Sequence, residues 1–301
     1  MSQVASFSFE EIMKHHEIIL PKPSFITTSD GLNLAYYPFL ASNPVAVFLF
    51  IHGAGACSGA GYQYLAHGLS KKYNISTYLL DLRGHGNSGG PRGDTPTPEH
   101  VLEDLNRMIV LIENENPHLP SYLGGHSSGS GLVLNYLHWN QARKCNGYFF
   151  IAPFFGYQAK HERKNNPHPF AKADLAKIIF NHISRGNLFG NTPVIRMNYP
   201  DQIIKHNPLL ITSMTCNMSK ALTPNNPQKL FAAIPKPYGL FIGENDELFE
   251  PQKVIQYAKL PPDNIQFKSH SGIIKNAKHL SILKEIDSFI GEAIIEMNRY
   301  Q

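Results

Sequence analysis

The sequence is poor in cysteine and in charge, and each shortage argues against a class of protein. Its three cysteines, Cys57, Cys145 and Cys216, are odd in number and far apart, with no CxxC pair among them. This argues against a disulfide scaffold or a zinc site and favours a reducing compartment. Charged residues make up 17% of the chain, and the formal net charge of +4 gives little support to a nucleic-acid partner.

Long apolar runs are also missing. The longest uninterrupted run, Val45–Ile51, has seven residues, whereas a membrane-spanning helix needs about 20. The N-terminal stretch carries Glu10, Glu11 and Lys14 and has no long apolar core, so no signal peptide is predicted. The chain is therefore expected to be a soluble, cytoplasmic protein.

The chain does contain a regular alternation of strand and helix patterns. Hydrophobic residues make up 42% of its 301 residues, which is ordinary for a globular protein. After a predicted hairpin around Asp30-Gly31, continuous apolar runs alternate with helical stretches. The predicted elements include a helix starting at Thr97-Pro98, a strand over 264–270 and a final helix over about 280–298. Strands that are apolar on both faces are typical of a parallel sheet covered by helices, so an α/β fold is predicted.

The alternation stops between residues 156 and 235. This stretch holds ten Lys/Arg against three Asp/Glu, a balance of +7, whereas the rest of the chain stands at −3. One amphipathic helix is predicted around 171–183, and its apolar face consists of Leu175, Ile178, Ile179 and Ile183. Because strand patterns resume afterwards, we predict a core domain of residues 1–155 and 236–301 with residues 156–235 inserted into it.

Three stretches match the G-x-S-x-G frame of hydrolase nucleophiles or its cysteine analogue, centred on Ser88, Ser127 and Cys57. The nucleophile of this frame lies on a strained turn between a strand and a helix, with glycines where a Cβ would clash. A Gly/Pro-rich loop follows Ser88, and Cys57 lies inside a loop beyond its strand. Ser127 has a strand directly before it and a helix directly after it. The predicted nucleophile is Ser127, against the alternative of an ordinary small residue at a helix N-cap.

A serine hydroxyl needs a base that takes its proton and a carboxylate that orients the base. The turn after the first strand beyond the insertion offers Glu244, Asp246 and Glu247. Asp246 is the predicted acid because a short side chain suits a turn that aims a carboxylate inward, and Glu244 is the second choice. His270 and His279 follow the last predicted strand. His279 is the predicted base because it lies at a loop-to-helix junction.

Backbone amides for a developing oxyanion complete the predicted site. The strand that ends near His52 runs into a Gly-Ala-Gly turn, and the N–H groups of Ala54 and Ser128 are the predicted donors. His52 is expected to brace this turn rather than to act in catalysis. No metal and no cofactor are predicted.

The motifs “HGAGACSGAGYQYLA”, “DLRGHGNSGGPRG”, “GGHSSGSG”, “GENDELFEP” and “NAKHL” cover the chain from about Ile26 onward. Together they resemble the monoacylglycerol lipase and lysophospholipase-like branch of the α/β-hydrolases, also named serine aminopeptidase-like. The resemblance implies a mostly parallel eight-stranded sheet flanked by helices, with a lid after strand 6 where the basic insertion falls. It also implies a Ser127–Asp246–His279 triad and oxyanion amides at Ala54 and Ser128.

The predicted function is hydrolysis of carboxylic esters of acyl lipids, monoacylglycerol- or lysophospholipid-like, through an acyl-Ser127 intermediate. The expected partner is a small-molecule acyl ester. The positive charge of the insertion has two explanations: its lysines are simply solvated, or they bind an anionic head group or an acidic membrane surface. The second explanation implies transient contact with a membrane. The alternatives are an aminopeptidase or thioesterase on the same triad, and a non-catalytic binding protein with a hydrolase fold.

Overall fold

The structure is a computed structural model, and it describes residues 7–9, 17–163, 169–261 and 269–300. A central sheet contains eight of the strands, and a second sheet of three lies in the stretch between β6 and β10. In chain order the strands are β1 Ser24–Thr27, β2 Asn33–Phe39, β3 Ala46–Ile51, β4 Ile75–Leu80, β5 Ser121–His126, β6 Gly147–Ile151, β7 Ala171–Ala173, β8 Pro193–Met197, β9 Ser213–Thr215, β10 Tyr238–Gly243 and β11 His270–Ile274.

The central sheet has the order β1-β2-β4-β3-β5-β6-β10-β11. Adjacent strands pair in parallel from β4 to β11 in this order. Among these described strands, β2 alone runs opposite to the rest. Strands β3 to β6 and β10 are buried at every residue, as their two-sided apolar pattern requires. The predicted α/β-hydrolase fold, with its mostly parallel eight-stranded sheet, is confirmed. The loops after the parallel strands therefore converge at one edge of the sheet.

Helices cover both faces of the central sheet. The α-helices are α1 Gln63–Lys72, α2 Pro98–Glu115, α3 Ser128–Leu137, α4 Leu175–Ile183, α5 Asp201–His206, α6 Cys216–Leu222, α7 Pro227–Ala232, α8 Pro251–Ile255 and α9 Asp287–Asn298. One hydrophobic core joins the sheet to α2 and α3, and a second joins its opposite face to α1 and α9. No helix in the described part of the chain has the length and apolar character needed to cross a bilayer.

Three predicted boundaries differ from the structure. Residues 262–268 lie outside the described residues, and the observed strand β11 begins at His270, where the predicted strand ended. The last predicted helix is split into a 3₁₀ turn, Ser281–Lys284, and α9. Helix α4 begins at Leu175 rather than near residue 171, because the preceding residues pair with β8 as strand β7 and Asp174 caps the helix.

Helix α4 presents its apolar face to solvent. An amphipathic helix ordinarily turns its apolar stripe toward the core, and of the predicted stripe only Ile178 packs against the core. Leu175, Ile179 and Ile183 are 57%, 56% and 70% exposed, and Phe180 beside them is 56% exposed. The stretch between β6 and β10 therefore carries an outward-facing hydrophobic patch, which we call the α4 patch (Leu175, Ile179, Phe180 and Ile183).

Candidate active site

Ser127 occupies a strained turn at the edge of the sheet. It lies between the last residue of β5 and the first residue of α3, with φ of 53° and ψ of −121°, which L-residues rarely adopt. A Cβ on Gly125 would come within 2.3 Å of the Gly129 carbonyl carbon, and a Cβ on Gly129 within 2.6 Å of the His52 oxygen. Both glycines of the frame are therefore required by close backbone packing.

Ser88 and Cys57, at the centres of the other two matches to the frame, have surroundings that fit a structural role. The Ser88 hydroxyl donates to the Asp81 carbonyl oxygen at 2.6 Å and accepts from the Ala35 N–H at 2.8 Å, so it ties a loop to strand β2. Cys57 is buried, and burial raises the pKa of its thiol to about 12. At neutral pH this thiol stays protonated and is a weak nucleophile. Of the three candidates, only Ser127 lies on a strand-to-helix turn.

Asp246 and His279 form a buried hydrogen-bonded pair. The His279 Nδ1 lies 2.7 Å from Asp246 Oδ2, so a neutral imidazole donates Nδ1–H to the carboxylate and keeps Nε2 as the proton acceptor. The second oxygen, Oδ1, accepts the N–H groups of Leu248 and Phe249 at 2.9 and 2.8 Å. The carboxylate is therefore fixed by backbone on one side and orients the ring on the other.

Ser127 and His279 both line a small cavity of 30 Å³. Within the described part of the chain, no hydrogen bond joins the serine hydroxyl to the imidazole. Such contacts are often long or misaligned before a substrate binds. The arrangement therefore places a hydroxyl, an imidazole and an orienting carboxylate around one space.

The less favoured sequence candidates lie elsewhere. Glu244 is exposed and accepts the Asn276 N–H at 3.0 Å. His270 begins β11, and its Nε2 lies 3.4 Å from a carboxylate oxygen of Glu296 on α9. His52 braces the turn after β3, since its Nδ1 contacts the Gly53 oxygen at 2.9 Å and its Nε2 accepts the Leu82 N–H at 3.2 Å. Neither Glu244 nor His270 joins the group around Ser127.

The two predicted oxyanion donors lie beside Ser127. Ala54 and Ser128 line a second, larger cavity of 190 Å³ together with Ser127. Ser128 is the first residue of α3, where an amide has no partner inside the helix and carries the positive end of the helix dipole. The assignment of these two amides as oxyanion donors stays a prediction.

The larger cavity is mostly apolar. Among the side chains that line it are Phe154, Phe170, Ile195, Met214, Leu222 and Leu248. Its polar side chains include Glu162, whose pKa is raised by burial, and Arg163, whose Nε donates to the Asp246 carbonyl oxygen at 2.7 Å. A hydrophobic chain fits this lining, with Ser127 at the cavity wall.

A hydrogen-bond chain that the sequence did not reveal links the turn after β3 to His279. The Gly53 N–H donates to the Tyr62 hydroxyl at 2.8 Å, and that hydroxyl lies 2.9 Å from His126 Nδ1. The other ring nitrogen of His126, Nε2, lies 2.9 Å from the His279 carbonyl oxygen. Burial holds the pKa of His126 well below its ordinary value, so the ring is neutral and can accept at Nδ1 while it donates at Nε2.

Glu247 is the second group whose role the sequence did not reveal. Its carboxylate is buried, and Oε2 accepts the His279 N–H at 2.9 Å while Oε1 accepts the Ser8 N–H at 3.1 Å. In the sequence, the one sign of this role was the run of acidic residues in the turn after β10. Such a run predicts a loop rich in carboxylates, but it does not show which group each carboxylate binds.

Comparisons with known proteins identify the family of the chain and similar folds. The family model described as serine aminopeptidase, S33, matches residues 42–279. A monoacylglycerol lipase of Mycolicibacterium smegmatis is 33% identical over 95 residues, which is 32% of this chain and 33% of that protein. A monoglyceride lipase of Mus musculus is 31% identical over 94 residues, which is 31% of this chain and 30% of that protein. The alignments thus span only about a third of these relatives' length.

Solved structures share the fold along nearly the whole chain. A soluble variant of monoglyceride lipase from Saccharomyces cerevisiae, in complex with a substrate analogue, superposes with a TM-score of 0.71 at 16% identity. The match covers 95% of this chain and 97% of the yeast chain.

Proposed function

Because the chain belongs to the serine aminopeptidase S33 family, we propose that it is a serine hydrolase that cleaves carboxylic esters of acyl lipids. Monoacylglycerol- and lysophospholipid-like esters are the proposed substrates. The observation that carries the proposal is the strained Ser127 turn beside the buried Asp246–His279 pair, at the wall of an apolar cavity. Relatives named as monoacylglycerol and monoglyceride lipases support the choice of substrate.

In the proposed mechanism, His279 Nε2 takes the proton of the Ser127 hydroxyl as the oxygen attacks the ester carbonyl. The tetrahedral oxyanion is held by the N–H groups of Ala54 and Ser128. His279 then gives its proton to the departing alkoxide, which leaves as the alcohol, and the acyl group remains on Ser127. His279 then takes a proton from a water molecule as it attacks the acyl-serine, and gives that proton to the departing Ser127 oxygen, which releases the carboxylic acid and regenerates the hydroxyl. Asp246 keeps the proton on Nδ1 and stabilises the imidazolium formed in each step.

The apolar cavity supports an acyl-chain substrate over a peptide. Acidic groups near Ser127 would favour a peptide's free amine, and Glu162 is the acidic side chain among the described lining residues of the larger cavity. Its pKa is raised by burial, which disfavours the charged form that would bind an amine. Asp174, elsewhere in the insertion, is paired with Lys177 at 2.9 Å.

A substrate panel tests the proposal. On p-nitrophenyl esters of increasing acyl length we expect kcat/KM to rise, because each buried methylene stabilises the bound state by about 0.8 kcal/mol. Amino-acid p-nitroanilides, which release a similar chromophore, are expected to react far more slowly. The measurement is the initial rate of nitrophenol or nitroaniline release. A preference for the anilides would contradict the ester proposal.

The proposal extends to the insertion, residues 156–235, which we propose acts as a lid over the site. We further propose that the protein is cytoplasmic and that this lid contacts membrane surfaces. The exposed α4 patch supports this role, with the exposed cations Lys172 and Arg185 close by in the chain. Apolar side chains flanked by cations suit the boundary of an anionic bilayer. The three free, buried cysteines fit a reducing compartment.

Vesicle binding tests the α4 patch. We expect the double variant Ile179→Glu, Ile183→Glu to bind anionic phospholipid vesicles about tenfold more weakly, since placing two apolar side chains in the interface contributes about 1.4 kcal/mol or more. Co-sedimentation measures the binding. The matched control is Phe25→Glu, because Phe25 is 55% exposed on β1, far from the patch in sequence. Equal loss in the control and the double variant, or no loss in either, would contradict this role.

A further inference from the structure

A short segment near the N-terminus lies against the candidate active site. Phe7 has its ring centroid 5.8 Å from the His279 ring and 4.9 Å from the Phe170 ring. Phe9 packs edge-on against Phe7 at 4.8 Å, and its ring lies 6.4 Å from Phe170 and 5.7 Å from Tyr199. Residues 7–9 thus form an aromatic contact with the histidine and with the insertion together.

Glu247 fixes this segment relative to the histidine. One oxygen of its buried carboxylate accepts the Ser8 N–H, and the other accepts the His279 N–H. Hydrogen bonds to a charged carboxylate are stronger than those between neutral groups. The same side chain therefore holds both the N-terminal segment and the loop that carries the base.

Two cavities meet at Ser127, and Phe7 lines the smaller of them. The larger cavity, 190 Å³, has an apolar lining. The smaller one, 30 Å³, is lined by Phe7, His279 and Tyr62. A water molecule needs about 10 to 15 Å³ on the same measure, so the smaller cavity has room for a small group only.

The chemistry of ester cleavage assigns a part of the substrate to each cavity. His279 must give its proton to the departing oxygen, so the alcohol has to lie on the side of the imidazole. The acyl chain then occupies the larger, apolar cavity. The smaller cavity is thereby the one that receives the alcohol.

From these contacts we infer that Phe7 forms a wall of the leaving-alcohol site and slows the cleavage of esters whose alcohol is bulky next to the scissile oxygen. The inference rests on the proposed ester hydrolysis. Phe7 acts as a specificity-determining residue through the space it fills, and takes no part in proton transfer.

The test compares two esters that share an acyl group and differ in the alcohol. Ethyl butyrate releases a small alcohol and 2-naphthyl butyrate a bulky one. We expect Phe7→Ala to raise the ratio of kcat/KM for the naphthyl ester to that for the ethyl ester about tenfold over wild type, the size of effect that a change in pocket volume produces. Comparing the ratio between variants cancels the different intrinsic reactivity of the two esters.

Phe9→Ala is the matched control. It removes the same side chain from the same segment, and in the described structure Phe9 is absent from the lining of the smaller cavity. We expect it to leave the ratio unchanged. An unchanged ratio in Phe7→Ala, or an equal rise in Phe9→Ala, would overturn the inference. Circular dichroism melts identify a variant that has lost its fold.

A second readout separates this inference from the proposed function. Phosphonate probes with one phosphonyl group and either fluoride or p-nitrophenoxide as the leaving group react with an activated serine without turnover. We expect Phe7→Ala to raise the relative labelling rate of the p-nitrophenoxide probe. If wild type cleaves neither ester, the ester proposal fails and the labelling ratio still decides the role of Phe7. An unchanged labelling ratio overturns that role.

Discussion

Ser127→Ala is expected to lower kcat for ester hydrolysis by about 10⁴- to 10⁶-fold, the loss seen when a triad nucleophile is removed. The reason is that Ser127 is the proposed source of the oxygen that forms the acyl intermediate, and no other serine of the G-x-S-x-G frames lies on a strand-to-helix turn in the described chain. The residual rate should come from substrate binding and from the oxyanion amides. The measurement is kcat on the best p-nitrophenyl ester of the panel.

Ser88→Ala is the matched control, because it makes the same change in the other serine-centred frame. Its hydroxyl bonds the Asp81 carbonyl oxygen and the Ala35 N–H, so its loss leaves buried backbone groups unpaired and costs about 1–3 kcal/mol of stability. We therefore expect a lower Tm with kcat within about twofold of wild type. The reverse pattern, a large loss of kcat in Ser88→Ala with activity retained in Ser127→Ala, would contradict the assignment.

Asp246→Asn is expected to lower kcat by about 10⁴-fold with little change in the fold. The N–H groups of Leu248 and Phe249 both point at Oδ1, so the asparagine carbonyl oxygen would stay there and its NH₂ would face His279. An NH₂ group donates to Nδ1, which drives the ring proton onto Nε2. The imidazole then faces the serine as a donor and is unable to take its proton.

Glu244→Gln is the control for this second prediction. Glu244 lies in the same turn, and its contact with the Asn276 N–H is exposed, so we expect kcat within about twofold of wild type. Comparing kcat of the two variants on one substrate shows which carboxylate of the turn the reaction depends on. A greater loss in Glu244→Gln than in Asp246→Asn would make Glu244 the acid.

The fold and the elements around Ser127 could be predicted because their signals are local. Two-sided apolar runs such as β3 and β5 predict a parallel sheet without knowledge of any partner strand. The choice of Ser127 over Ser88 depended on the strand before it and the helix after it, both readable from neighbouring residues. The helix predicted at Pro98 begins there, since proline suits the first helical turn.

The orientation of α4 could not be predicted, because an apolar stripe does not reveal what covers it. The periodicity of Leu175, Ile179 and Ile183 is the same whether the stripe meets a protein core or solvent. Only the tertiary structure, in which Ile178 alone of the predicted stripe packs inward, distinguishes the two.

The proposed wall of the alcohol site could not be predicted from the sequence, for a different reason. The Ser8–Glu247 contact joins residues 239 positions apart, and no spacing rule relates an N-terminal aromatic residue to a turn near the other end of the chain. The same holds for the link from Tyr62 through His126 to the His279 carbonyl. Long-range polar contacts of this kind are set by the assembled fold, whereas a local pattern encodes only secondary structure.

The most direct measurement of the central claim is mass-spectrometric location of a fluorophosphonate adduct on the full chain. A single adduct on Ser127 in wild type, absent from Ser127→Ala and strongly slowed in Asp246→Asn, is the result we predict. An adduct on Ser88 or Cys57, or no adduct on Ser127 of the folded protein, would contradict the assignment of Ser127 as the nucleophile.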